Sequence, residues 1–293
     1  MASIGMVGVN TSHADQFLRI LNGSEHEPAL VEDTPVTMIW GNDDDARVRE
    51  LAGRHGVPEP VTDPAEMIGK IDGVLIIDDT GGGATHPELA MPFLEAGVPT
   101  FIDKPMALSW EDANRLFETA ERHGAPLFSA YALAFAVERE AFQPELDRIG
   151  HLSSVVSIGP GEWFYYGVHA VEMLGSVVDA RATRVHRHAY PNRDIVVVEY
   201  DNGPSAVVET LRDAAYVFHL TAYGAGGHAS MDVRDALGFY TNTMKKVAEM
   251  VRTGTAPIPA SQTLDVLAIL EAGNRSAERG TAVDISEITG VER

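Results

Sequence analysis

Apolar positions fall into two textures along the chain. Over the first 125 residues, short apolar runs alternate with stretches of helical period. Ser3–Val9, Val36–Trp40, Val74–Ile77, Val98–Ile102 and Pro126–Ala130 read as buried strands. Between them, His13–Leu21, Asp45–His55, a short turn at Ala65–Ile68, His86–Ala96 and Ser109–His123 read as helices. Ser109 is placed to cap the last of these, with Asp112 three residues on. Buried strands separated by single helices imply βαβ units and a parallel sheet.

Beyond about residue 150 the period changes to two. Leu152–Ile158, Arg181–Ala189, Asp194–Tyr200, Ser205–Leu211 and Val217–Tyr223 alternate as strands of an open, mostly antiparallel sheet, with a hairpin turn at Asp201-Asn202-Gly203. A helix spanning Glu162–Leu174 interrupts them, and two helices close the chain, at Leu237–Thr253 and Ser261–Gly280. The expected class is α/β: a Rossmann-like domain over residues 1–125, then an α+β domain over 126–293 whose last helices pack back on the first. An open sheet needs cover on its outer face, so a homo-oligomer, dimer or tetramer, is expected through it.

Composition narrows the choice of chemistry. The 293 residues carry 43 acids against 22 Lys and Arg, a formal charge of −21, which disfavours nucleic acid and anionic membranes. No cysteine is present, so disulfides, thiolate metal sites and Cys nucleophiles are excluded. The opening Met-Ala-Ser-Ile-Gly-Met-Val-Gly-Val reads as a first strand rather than a leader, and no apolar run spans a membrane. A cytoplasmic protein with a small-molecule substrate is the expectation.

The most informative segment is Phe101-Ile-Asp-Lys-Pro-Met106. It delivers Asp103, Lys104 and Pro105 at the carboxyl end of a strand, the edge of an open α/β sheet where ligands bind. His13 follows the first strand, so it is expected at the mouth of the same site. His13, Asp78, Asp79, Asp103 and His169 show no tight metal-ligand spacing, so no metal is expected. The run Trp163-Phe-Tyr-Tyr166 is expected at the entrance of the substrate cleft, where aromatic rings stack on a sugar; core or subunit contact is the alternative.

Taken in order, Asp72-Gly-Val-Leu-Ile-Ile77, His86-Pro-Glu-Leu-Ala90, Glu95-Ala-Gly-Val-Pro-Thr-Phe-Ile-Asp-Lys-Pro105, Gly167-Val-His-Ala-Val-Glu172 and Glu271-Ala-Gly-Asn-Arg-Ser-Ala-Glu-Arg-Gly280 resemble the glucose–fructose oxidoreductase / inositol dehydrogenase (Gfo/Idh/MocA) family. The resemblance implies an NAD(P)-dependent oxidoreductase moving hydride to or from a hydroxyl-bearing carbon of a sugar, polyol or related molecule. It makes Lys104 the electrophilic cation and His169 the proton donor or acceptor. Tyr165 stands where relatives carry an Asp; on a helix, Tyr165 and His169 would share one face. Gly8, Asn10, Thr11, Ser12 and His13 fall at the phosphate loop, with Ser12 a candidate helix cap. Asn42 and Asp43 fall at the ribose position, and Asp79, Thr80, His86, Asp103, Lys104 and Pro105 line the rest of the dinucleotide site.

The loop Gly5-Met-Val-Gly8-Val-Asn10-Thr11-Ser12 departs from Gly-x-Gly-x-x-Gly, where glycines admit the pyrophosphate. No Arg stands beside Asn42 to neutralise a 2′-phosphate, so NAD is favoured over NADP. These departures keep two alternatives open: an isomerase, epimerase or lyase using dinucleotide transiently or not at all, and a non-catalytic ligand-binding protein.

Overall fold

The computed structural model describes residues 1–42, 44–129 and 132–291. Two expectations fall outside that range: Asp43 at the ribose position and the last residue of the fifth strand, Ala130. By contact the chain divides into two compact units, residues 1–130 with 240–260, and residues 131–239 with 261–293. The division falls at 130, and of the two closing helices expected to pack back only the segment 240–260 counts with the first unit.

In the first unit the elements run β1 (Ile4–Val7), α1 (Ser12–Leu21), β2 (Val36–Trp40), α2 (Asp45–His55), β3 (Glu59–Pro60), β4 (Gly73–Ile76), α3 (His86–Glu95), β5 (Thr100–Ile102), α4 (Trp110–His123) and β6 (Leu127–Phe128). The six strands are parallel in the order β3-β2-β1-β4-β5-β6. This is the doubly wound order that reverses beside β1 and places ligands at the strands' carboxyl ends. All four residues of both β1 and β4 are buried, as continuous apolar runs in a parallel sheet require. Ser109 caps α4 as expected, its hydroxyl accepting from the Asp112 amide at 3.1 Å.

The second unit contains α5 (Val137–Ile149), β7 (Leu152–Pro160), α6 (Gly167–Gly175), β8 (Ala182–Tyr190), β9 (Arg193–Tyr200), β10 (Ser205–Leu211), β11 (His219–Gly224) and β12 (Gly227–Asp232). The helix α7 (Ala236–Thr253) follows; from Tyr240 it counts with the first unit. The chain closes with α8 (Ala260–Arg279), β13 (Val283–Asp284) and α9 (Ser286–Thr289). The sheet order is β12-β11-β7-β10-β9-β8-β13, antiparallel throughout except for the β7–β10 pair. Asn202 adopts φ 58° in the expected β9–β10 turn.

Among the described elements, β3, α5, β12, β13 and α9 had no counterpart in the sequence pattern. The helix α5 carries Pro144 inside it and a mostly charged surface. The strand β12 has only Ala229 and Met231 as apolar residues, and β13 is two residues long.

Candidate functional site

The carboxyl edge of the six-stranded sheet gathers most of the residues singled out by sequence. The loop after β1 begins at Gly8, which has φ 109° and donates its amide to the Trp40 carbonyl at 2.9 Å. A Cβ at Gly8 would stand 2.3 Å from the Asp78 amide nitrogen. The glycine is therefore demanded by the approach of two backbones, one after β1 and one after β4. Asn10 ties the same loops together: its Oδ1 accepts from the Asp79 amide at 2.8 Å and its Nδ2 donates to Thr80 Oγ1 at 3.0 Å. Thr11, rather than Ser12, caps α1, accepting from the His13 amide at 3.3 Å. Ser12 becomes the exposed first residue of the helix, because Thr11 holds the extended backbone a cap needs.

At the end of β5, Lys104 is only 8% exposed and Asp103 6%. The Lys104–Pro105 peptide is cis. Burial draws the Lys104 ammonium below its ordinary value, against the opposing charges of Asp103 and Asp79. Burial pushes Asp103 upward, but His13 beside it, hydrogen-bonded to it, and Lys104 together hold its carboxyl below the usual range. His13 Nδ1 lies 2.6 Å from Asp103 Oδ2, and His13 Nε2 lies 2.9 Å from the Tyr240 hydroxyl on α7. No sequence signal marked Tyr240, which stands 227 residues from His13.

His86 is placed differently from the expected cofactor contact. It is 1% exposed at the start of α3, and its Nδ1 lies 2.9 Å from the Pro105 carbonyl. It supports the Lys104–Pro105 backbone from beneath instead of reaching the surface. Burial pushes its imidazole below the ordinary value, so Nδ1 is the donor of a neutral ring. Asp78, equally buried, accepts through Oδ1 from the Thr80 amide at 3.1 Å and from Thr85 Oγ1 at 2.8 Å. At the carboxyl end of β2, Asn42 is exposed. Asp44 next along caps α2 through the Arg47 amide at 3.0 Å. Among the described residues, no group of three or more His, Asp or Glu is arranged to hold a metal.

In the second unit, His169 lies on α6, with its ring 5.3 Å from Phe218 and 6.2 Å from Tyr166. The helix begins at Gly167, so Tyr165 is in the turn before it and does not share a helical face with His169. Glycine explains the late start: a Cβ at Gly161 would strike the Tyr166 ring at 2.5 Å, and one at Gly167 the Trp163 ring at 2.9 Å. Segment 161–166 is thus a folded turn. Trp163 is not an entrance residue. It is 1% exposed, donates Nε1 to the Leu270 carbonyl at 3.0 Å and packs on Gly273.

An ion cluster secures this turn. Asp194, fully buried, accepts from Arg187 Nε at 2.8 Å, from Arg212 Nη2 at 2.5 Å and from Thr210 Oγ1 at 3.0 Å. Arg212 also reaches Glu162 Oε1 at 2.9 Å.

Residues 2–131 match the family model of the Gfo/Idh/MocA oxidoreductases, a family described by an NAD-binding Rossmann fold. A curated relative, the myo-inositol dehydrogenase Hyg17 of Streptomyces leeuwenhoekii, is 31% identical over 102 residues, covering 34% of this chain and 30% of that protein. The chain spans about a third of the length of the curated relatives it matches. A probable dehydrogenase from Thermotoga maritima superposes with a TM-score of 0.86 at 18% identity, over 98% of this chain and 99% of the other. The structure of a myo-inositol dehydrogenase from Lactobacillus casei in complex with NAD(H) and myo-inositol gives 0.83 at 14% identity, over 97% and 96%. Both structural likenesses are likenesses of fold. No helix among the described residues is long and apolar enough to cross a membrane.

Proposed function

We propose that this chain, whose residues 2–131 match the family model of the Gfo/Idh/MocA oxidoreductases, is an NAD-dependent dehydrogenase of a polyhydroxylated small molecule, with Lys104 and His169 as its catalytic residues. The observation that carries this reading is the buried Lys104 cation at the carboxyl end of β5, flanked by Asp103 and Asp79. A cation there polarises a carbon–oxygen bond as it gains carbonyl character. His169 takes or returns the hydroxyl proton, a role suited to an imidazole near neutral pH. Tyr165, in the turn ahead of α6, would contact substrate where relatives use a carboxylate.

The residues at the sheet edge fit a dinucleotide. The α1 N-terminus, with Ser12 exposed beside it, offers amide dipoles to a diphosphate. Asn10, Thr11 and His13 form that mouth with Asp79 and Thr80. Asn42 accepts or donates to ribose hydroxyls, and the acidic turn around it repels a 2′-phosphate, which favours NAD over NADP. A bound nicotinamide supplies the hydride acceptor or donor. Gly8 keeps the loop in place, while Asp103, Pro105 and His86 support Lys104.

A second copy of the chain is the proposed partner. On the face of the seven-stranded sheet opposite α6, Val197, Val207 and Val156 stand in register across three strands, with Ile195 and Ile158 flanking Glu209 in the next row. All five are half-buried, and an apolar stripe of this kind favours association. Light scattering should report an oligomer that Val207→Glu dissociates; a monomeric parent would refute the interface.

Calorimetry with NAD and NADP tests the cofactor, and absorbance at 340 nm across a polyol panel tests turnover. Lys104→Ala and His169→Ala should each abolish turnover in a folded protein; near-parental activity in both would sink the assignment. NAD binding without net absorbance change on any polyol would point instead to an isomerase, epimerase or lyase. Absence of dinucleotide binding would leave an isomerase, epimerase or lyase without the cofactor, or a ligand-binding protein.

A further inference from the structure

Tyr240, His13, Asp103 and Lys104 follow one another from α7 to the end of β5. We infer that Tyr240 and His13 are positioning residues that act through Asp103 to set how readily Lys104 carries its proton. The inference takes its interest from the reactive role proposed for Lys104, but its test does not depend on that role.

The argument starts from the carboxylate. Asp103 is 6% exposed, and a buried carboxylate stays ionised only if donors face it. Its side-chain donor is His13 Nδ1, 2.6 Å from Oδ2, a short charge-assisted contact, beside a hydrogen bond from the Lys104 backbone. A neutral imidazole can donate from Nδ1 only in the tautomer whose Nε2 is an acceptor. Asp103, which can only accept, selects that tautomer, and the Tyr240 hydroxyl, 2.9 Å from Nε2, is placed to donate to the nitrogen left as acceptor. Were the ring protonated, the same oxygen would accept from Nε2 and Asp103 would still receive its hydrogen bond.

Packing holds the chain in register. The His13 ring sits 5.4 Å from Phe17 and 5.1 Å, edge-on, from Tyr240; Phe17 in turn lies 5.8 Å from Tyr240 and 6.2 Å from Phe101 on β5. The imidazole therefore cannot turn away from Asp103 without displacing two aromatic rings, one of them backed by Phe101. On the far side, burial acts most strongly on Lys104, opposed by Asp103 and then Asp79, with Asp78 and His86 also near the segment. Burial favours its neutral amine, so the carboxylate that offsets burial governs its charge. Anything that weakens the Asp103 charge lowers the proton affinity of Lys104.

The chain has four lysines: 70, 104, 245 and 246. Carbon-13 labelling of lysine ε carbons thus yields four signals, with Lys104 assigned by its loss in Lys104→Arg. Titration of the intact protein by NMR reads the Lys104 midpoint directly, with the three other lysines as internal references. The midpoint is expected to fall in Asp103→Asn, by less in His13→Phe and least in Tyr240→Phe. Adding Tyr240→Phe to His13→Phe should have no further effect, because residues acting in series are not additive. Tyr240→Phe removes a single oxygen and keeps the test available if His13→Phe does not fold. A Lys104 midpoint unmoved in folded Tyr240→Phe and His13→Phe would overturn the inference. So would equal, additive shifts, which would mean independent effects. No dinucleotide is present in the titration. A protein that fails to bind NAD yet shows these shifts refutes the proposed function and leaves the relay standing.

Discussion

Replacing Gly8 by Ala tests whether the cofactor-loop glycine serves the backbone rather than a ligand. Two separate costs apply. At φ 109° an L-residue is strained by ~1–3 kcal/mol. The new Cβ also meets the Asp78 amide nitrogen at 2.3 Å and its Cα at 2.5 Å. These are main-chain atoms of the segment following the buried strand β4, so no side-chain rotation relieves the clash; overpacking of this kind costs a further ~1–3 kcal/mol. Gly56 supplies the control. It ends α2 at φ 64°, and nothing lies within 4 Å of its Cβ position. Gly56→Ala should lose only the left-handed term, ~1–2 kcal/mol. The contact itself should thus separate the two variants by ~1–3 kcal/mol, or about 2–12 °C in Tm for a domain of this size. Thermal melting of both variants without ligand measures it. Melting of Gly8→Ala within about 2 °C of Gly56→Ala would refute the close-approach argument.

Two further expectations follow from buried charge. Asp194→Asn should destabilise the protein by ~3–5 kcal/mol in urea, because it leaves Arg187 without its counter-charge and Arg212 with only the exposed Glu162, whereas Asp201→Asn at the exposed Arg181 pair should cost ~0–1 kcal/mol; equal costs would show that the cluster is not a buried network. His86 has a folded-state pKa below its ordinary value, so the unfolded chain binds the proton more readily and stability falls as pH drops below about 6.5. His86→Gln should flatten stability through that acid limb, and a slope unchanged from the parent would exclude His86 as its source.

Much of the site was legible in the chain because its signals are local. The alternation of apolar runs with helical periods placed Lys104 at the carboxyl end of a strand, and a parallel sheet puts that edge at the ligand. Ser109 read correctly as a cap because a cap needs only its own first turn. Tyr165 and Trp163 were read on an unbroken helix from Glu162, since the segment's composition tolerates one. The turn that replaces it depends on Gly161 and Gly167 meeting rings that only the folded chain brings near.

Periodicity and residue type determined by themselves that this is a Rossmann-like sheet followed by a mostly antiparallel one, and that Asp103-Lys104-Pro105 follows β5 at the carboxyl edge of the first sheet. Those properties repeat every two or 3.6 residues and need no distant partner. Tertiary structure alone decided that Tyr240 meets His13, that Gly8 yields its space to Asp78, that Trp163 is core and that Asp194 gathers two arginines. Each of these joins groups far apart in sequence. Their pairing is set by hydrogen-bond geometry and close packing, which leave no local period in the chain.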